Sequence, residues 1–177
     1  MTSVKRQEPR RSRRSRDEAR QEILDSAATF LWDHSFRDLT VASLMTCTSV
    51  GRSAFYVYFK DRYQLIEALL KIVQEDFNQA AFPWFQGTDD PVAALYESLT
   101  SVINLSVVHG PILRAVSEAA PLDTKLEALW TGFMTFFDEG VEAAIIRDQK
   151  AGKIGNLNPR ETDRKSTRLN SSHRLRS

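Results

Sequence analysis

Only one stretch of this chain, Phe55-Tyr56-Val57-Tyr58-Phe59, has the aromatic and β-branched make-up of a strand, and no second convincing strand exists for it to pair with. A lone strand leaves its backbone donors and acceptors unsatisfied, so the stretch reads as a helix. Elsewhere the apolar residues recur at three- and four-residue spacing, the mark of helices with one face inward. The expected fold class is therefore all-α.

The helices can be placed from their caps and periods. From Asp17, the set Ile23, Leu24, Ala27, Ala28 and Leu31 makes one face of a helix that stops near His34-Ser35. Thr40 is an N-cap for a short helix over 40–47, lined by Val41, Leu44 and Met45. Gly51 caps a second short helix over 51–58, which turns Val50, Ala54, Phe55 and Phe59 inward and Arg52, Ser53, Tyr56 and Val57 outward. Two short helices joined by a tight turn, the second showing small polar, basic and aromatic groups, form a helix-turn-helix. Asp61 caps a following long helix, and Ala80–Gly87, with Pro83 inside it, reads as a connection. Asp90-Pro91 opens the next helix, residues 111–119 form a short one, and Leu122 to about Lys150 a long one.

The net charge of +1 conceals a segregation. Residues 1–16 carry seven basic groups against Glu8, residues 160–177 six against two acids, and the stretch between them is left at −9. A polyanion is repelled by such a body except at the basic arm and at local basic clusters. The arm places Arg10, Arg11, Arg13 and Arg14 where they can enter a minor groove or neutralise phosphates, and it is expected to be disordered without DNA. Cys47 is the single cysteine, so no intrachain disulfide is possible, and His34, His109 and His173 are scattered, which gives no metal-ligand spacing. No nucleophile–base or carboxylate pair is apparent, so an enzyme is not expected, nor any cofactor. The N-terminus lacks an apolar segment after its charges and no run of about 18 apolar residues occurs; a cytoplasmic protein with no membrane partner is expected. A competing reading is a helical membrane-surface or protein-interaction module that uses the basic arm.

The chain resembles the tetracycline-repressor (TetR/AcrR) family of bacterial transcriptional regulators over about residues 17–159. The resemblance is carried by Phe36-Arg37-Asp38-Leu39-Thr40-Val41, by Thr48 through Phe59, and by Lys60-Asp61-Arg62 with Leu65. Ala128 through Met134 resembles the ethionamide-resistance-repressor branch. The resemblance implies a repressor that binds a palindromic site on double-stranded DNA as a homodimer and is released by a small ligand. It implies DNA contacts from Thr40, Arg52, Ser53, Tyr56 and Arg62. Ser49 stands where the family usually has a turn glycine, and a left-handed backbone there would cost on the order of 1 kcal/mol. Gly51 replaces a serine cap, Ala54 a threonine that commonly touches phosphate, and Arg62 a lysine.

For the rest of the chain, the resemblance implies a ligand pocket among the later helices. Tyr96, Ile103, Val107, Trp130, Phe133, Met134 and Phe137 are its candidates, and so few charges interrupt them that an apolar ligand is expected. The organisation is then a basic arm (1–16), a helix-turn-helix head (17–62), a helical ligand and dimerisation part (63–159) that looks incomplete, and a tail (160–177). Residues 165–177, KSTRLNSSHRLRS, have no apolar periodicity, and the tail from Arg164 to Ser177 reads as foreign. The break falls where the family has two more long helices that make most of its dimer. Without them, half of the apolar face of the last long helix is expected to lack a cover.

Overall fold

The computed structural model describes residues 16–155. The basic arm with Arg10, Arg11, Arg13 and Arg14, and the tail, lie outside the described residues. The fold is all-α, as expected. Its helices are α1 (Arg16–Asp33), α2 (Val41–Met45), α3 (Arg52–Tyr58), α4 (Arg62–Gln86), α5 (Pro91–Val108), α6 (Gly110–Ala119) and α7 (Thr124–Lys150), with a 3₁₀ turn at Ala120–Leu122 before the last.

The caps at Asp61 and Asp90 act where the sequence puts them, and α7 has one, Asp123, that the sequence reading did not name. Asp61 accepts from the Gln64 amide at 2.9 Å, Asp90 from Ala93 at 3.0 Å and Asp123 from Leu126 at 2.8 Å, each satisfying a donor that the first helical turn leaves open. One connected core runs from Ile23 and Leu24 of α1, through Phe36, Leu39, Phe55 and Phe59, to Phe77, Leu126 and Phe133, so the N-terminal helices and the body share a single apolar interior. Phe77, Phe133 and Phe137 meet edge to face with centroids 5.2 to 6.0 Å apart.

Two expectations change here. Residues 80–87 are not a connection: α4 continues through Pro83 to Gln86. Pro83 removes its own N–H from the helix, but Ala81 and Trp84 are buried, and their packing offsets the lost bond. The Arg147 guanidinium donates to the Trp84 and Phe85 carbonyls at 3.1 and 2.7 Å, closing the end of the helix, while the Asp148 carboxylate holds the same group at 2.8 Å. Gly87, at φ +86°, then turns the chain away. Gly140 lets Phe85 lie flat on α7, since a Cβ there would sit 2.6 Å from that ring.

The uncovered apolar face is also elsewhere than expected. On α7, Met134 and Phe136 are exposed while Phe133 is buried, but the larger bare face is on α5. That helix has 18 residues with a mean hydropathy of 1.3, long and apolar enough by composition to cross a membrane, which the reading of the sequence had missed. Its inner side packs along α4 and against α6.

Candidate nucleic-acid interface

The α2–α3 unit is held together by short-range bonds. Thr40 and Ser43 form a reciprocal cap: the Ser43 amide donates to Thr40 Oγ1 at 3.0 Å, and the Thr40 amide to Ser43 Oγ at 3.0 Å. The turn between the helices is longer than expected, because α2 ends at Met45 instead of 47. Thr48 Oγ1 lies 3.2 Å from the Met45 carbonyl and 3.1 Å from that of Val50, and the Glu22 carboxylate of α1 accepts the Ser49 amide. Ser49 needs no left-handed backbone: no non-glycine residue among the described residues has positive φ. With the turn pinned by side chains, the glycine that the family resemblance leads one to look for is not required.

Helix α3 divides cleanly. Phe55 is fully buried and Phe59 nearly so, their rings 5.6 Å apart, and Arg20 of α1 lies 5.5 Å from the Phe59 ring centre. On the opposite side Arg52 and Ser53 are exposed, Tyr56 is 56% exposed, and Tyr58 is half-buried against the core. Arg52 has no side-chain partner among the described residues. Gly51 gives α3 no side-chain cap, so the first turn offers backbone N–H groups to an outside acceptor. Helix α3 is thus fixed by its back and presents a basic, aromatic and hydroxylic front.

Arg62 is placed differently from the simple phosphate contact implied by resemblance. Its guanidinium lies 4.3 Å from the Phe36 ring centre and donates through Nη1 to the Phe36 and Leu39 carbonyls at 3.3 and 3.4 Å. It ties the loop before α2 to the start of α4, which leaves only its other N–H groups for a phosphate. In the same loop the Ser35 hydroxyl and amide donate to Asp38 at 2.7 and 3.0 Å, holding that carboxyl below its ordinary value.

The loop before α2 has supports that the sequence reading overlooked. Arg114 of α6 donates to the Leu31 and His34 carbonyls at 2.6 and 3.0 Å, capping the C-terminus of α1, which has no basic residue in its own last turn. One turn later, Glu118 accepts the Phe36 amide at 2.9 Å. The i, i+4 spacing of an Arg and a Glu on an otherwise apolar helix is visible in the sequence, but its target is about 80 residues away.

Of the expected pocket residues, Trp130, Phe133 and Phe137 of α7 are in ring contact, whereas those of α5 lie apart from them. Phe133 is buried, Trp130 and Phe137 are half-buried against the core, and Met134 is 38% exposed. Tyr96, Ile103 and Val107 point outward, at 74, 61 and 67% exposure, because α5 turns Pro91, Ala94 and Ser98 inward. Both sides of α5 are apolar, so periodicity gave no way to choose between them. A cavity of about 300 Å³ lies between α4 and α7 instead, lined by Gln74, Asn78, Leu129, Phe133 and Phe136. Asn78 Oδ1 is itself buried without a hydrogen-bond partner among the described residues.

With this geometry in hand, the relatives can be placed. No family model matches the chain. It is 31% identical over 133 residues to the HTH-type transcriptional repressor LfrR of Mycolicibacterium smegmatis, covering 74% of this chain and 64% of the relative. It is 25% identical over 136 residues to the HTH-type transcriptional repressor AcnR of Corynebacterium efficiens, covering 77% of this chain and 69% of the relative. The chain is similar to helix-turn-helix repressors. It spans only part of their length, 64% in the first case.

Proposed function

We propose that this chain is a DNA-binding transcriptional repressor of the tetracycline-repressor type, acting on a palindromic operator as a homodimer and released by a small apolar ligand. The observation that carries the reading is α3, whose buried Phe55 and Phe59 anchor a helix that shows Arg52, Ser53 and Tyr56 to solvent. Side chains on the first turn of such a helix reach base edges in a major groove, where Arg52 can pair with the O6 and N7 of a guanine. The Tyr56 hydroxyl suits a phosphate oxygen, and the basic arm adds salt-dependent affinity.

The ligand part of the proposal moves from α5 to the α4–α7 cavity. A mostly apolar molecule suits its lining, in which Leu129, Phe133 and Phe136 stand with the polar side chains of Gln74 and Asn78. A ligand that prefers one packing of α4 against α7 shifts the population of head positions, since both helices share the core with α1–α3.

The test is selection of double-stranded DNA from a randomised pool by the full chain, followed by binding of Arg52→Ala and Tyr56→Ala. Arg52→Ala is expected to cost about 1–3 kcal/mol at one base pair and to relax preference there. Tyr56→Ala is expected to weaken all sequences alike and to leave the salt dependence unchanged, since the lost group carries no charge. If no sequence is enriched, or both variants bind the selected site as the parent does, the assignment of α3 is wrong.

A further inference from the structure

We infer that Val57 is a specificity-determining residue of α3, reading the C5-methyl of one thymine in each half of the DNA site. The inference rests on the repressor reading above and extends it from a guanine to a second base.

A single exposed valine is ordinary on a protein surface, so its direction matters more than its exposure. At about 3.6 residues per turn, the buried Phe55 and the half-buried Ala54 and Tyr58 share one side of α3. Arg52, Ser53, Tyr56 and Val57 fall within about 140° of one another on the opposite side. That front consists of two rows of i, i+4 neighbours. One row is Arg52 with Tyr56, each polar at its tip. The other is Ser53 with Val57, and Val57, at 69% exposure, is its apolar end. A β-branched residue is a weaker helix former than alanine, so neither packing nor helix propensity favours valine at this position.

The chemistry of the groove floor then names the base. In the major groove guanine shows N7 and O6, adenine N7 and N6, and cytosine N4, whereas thymine adds to its O4 a C5-methyl, the one apolar group on that floor. A valine laid over a polar edge strands a donor or acceptor away from water and offers it nothing in return. Over a thymine methyl both partners are apolar, and their burial favours the contact. Helix α3 carries no carboxylate to accept from cytosine N4, and its one cation, Arg52, suits guanine. The front therefore reads guanine through the Arg52 row and thymine through the Val57 row.

The test uses the site selected from randomised DNA by the full chain, with each thymine replaced in turn by deoxyuridine, which lacks only the C5-methyl. At one thymine per half-site the parent is expected to lose about fourfold in affinity, the worth of one buried methyl. Val57→Ala should bind the thymine and uracil forms of that site alike, whereas Val57→Ile, which keeps the branched methyls, should still discriminate. Circular dichroism of both variants should match that of the parent, because the position is exposed and alanine suits a helix better than valine. A selected site in which no thymine is sensitive to uracil overturns the inference and leaves the repressor reading standing. So does a uracil penalty that Val57→Ala retains in full. If no sequence is enriched at all, the repressor reading fails and this inference falls with it.

Discussion

Removing the Glu118 carboxylate should loosen the N-terminal helices from outside them. The Phe36 amide, beside a ring that is only 1% exposed, gives its hydrogen to Glu118 Oε2 at 2.9 Å, across 82 residues of sequence. Glu118→Ala strands that donor in a partly buried place, where an unmet amide costs about 1–3 kcal/mol. A central value of about 2 kcal/mol corresponds to a fall in Tm of about 4–8 °C for a chain of this size. Glu118→Gln keeps a carbonyl acceptor and should lose less than about 1 kcal/mol. Urea unfolding followed by circular dichroism checks both, with the midpoint lowered and the slope unchanged. Hydrogen exchange should quicken first at the Phe36 amide. Arg114→Ala frees the Leu31 and His34 carbonyls of the same loop, so its effect should not add fully to that of Glu118→Ala. A Glu118→Ala protein within about 0.5 kcal/mol of the parent would refute the claim that α6 holds the loop before α2.

Two further perturbations test the body. Glu67, pinned by Lys125 at 2.7 Å and Lys71 at 2.9 Å, has its carboxyl lowered, chiefly by the Lys125 hydrogen bond. A depressed acid stabilises above its unfolded value and loses that contribution as pH falls through the folded one. The advantage of the parent over Glu67→Gln should therefore be full near neutrality and shrink progressively as pH falls below the ordinary glutamate value of 4.5 in urea titrations; an advantage that does not shrink on acidification would contradict the pairing. Gly87→Ala places a side chain at φ +86° with its Cβ 2.9 Å from Arg147 Nε, so it should destabilise by about 1–2 kcal/mol or more, read as a lowered thermal midpoint. Its Arg147→Ala double mutant should regain none of the backbone part.

What could be read from the sequence alone was whatever rests on local chemistry. Thr40, Asp61 and Asp90 sit beside the amides they cap, and those bonds form within three residues. The burial of Phe55 and Phe59, against the exposure of Arg52, Ser53 and Tyr56, follows from helical period in a segment with one apolar side. The helix through Pro83 escaped such reading, because a local penalty was outweighed by contacts of Trp84, Phe85, Gly140 and Arg147 made across about 60 residues. The direction of α5 escaped it too. With apolar residues on both sides, its period names two candidate faces, and only the positions of α4 and α6 decide which one is buried. Arg62 was identifiable as basic, but its engagement with Phe36 and Leu39 depends on a loop 23 residues earlier. Caps and periods act over one or two turns, whereas which face is covered, and which cation is already engaged, is settled by surfaces that meet only when the chain has folded.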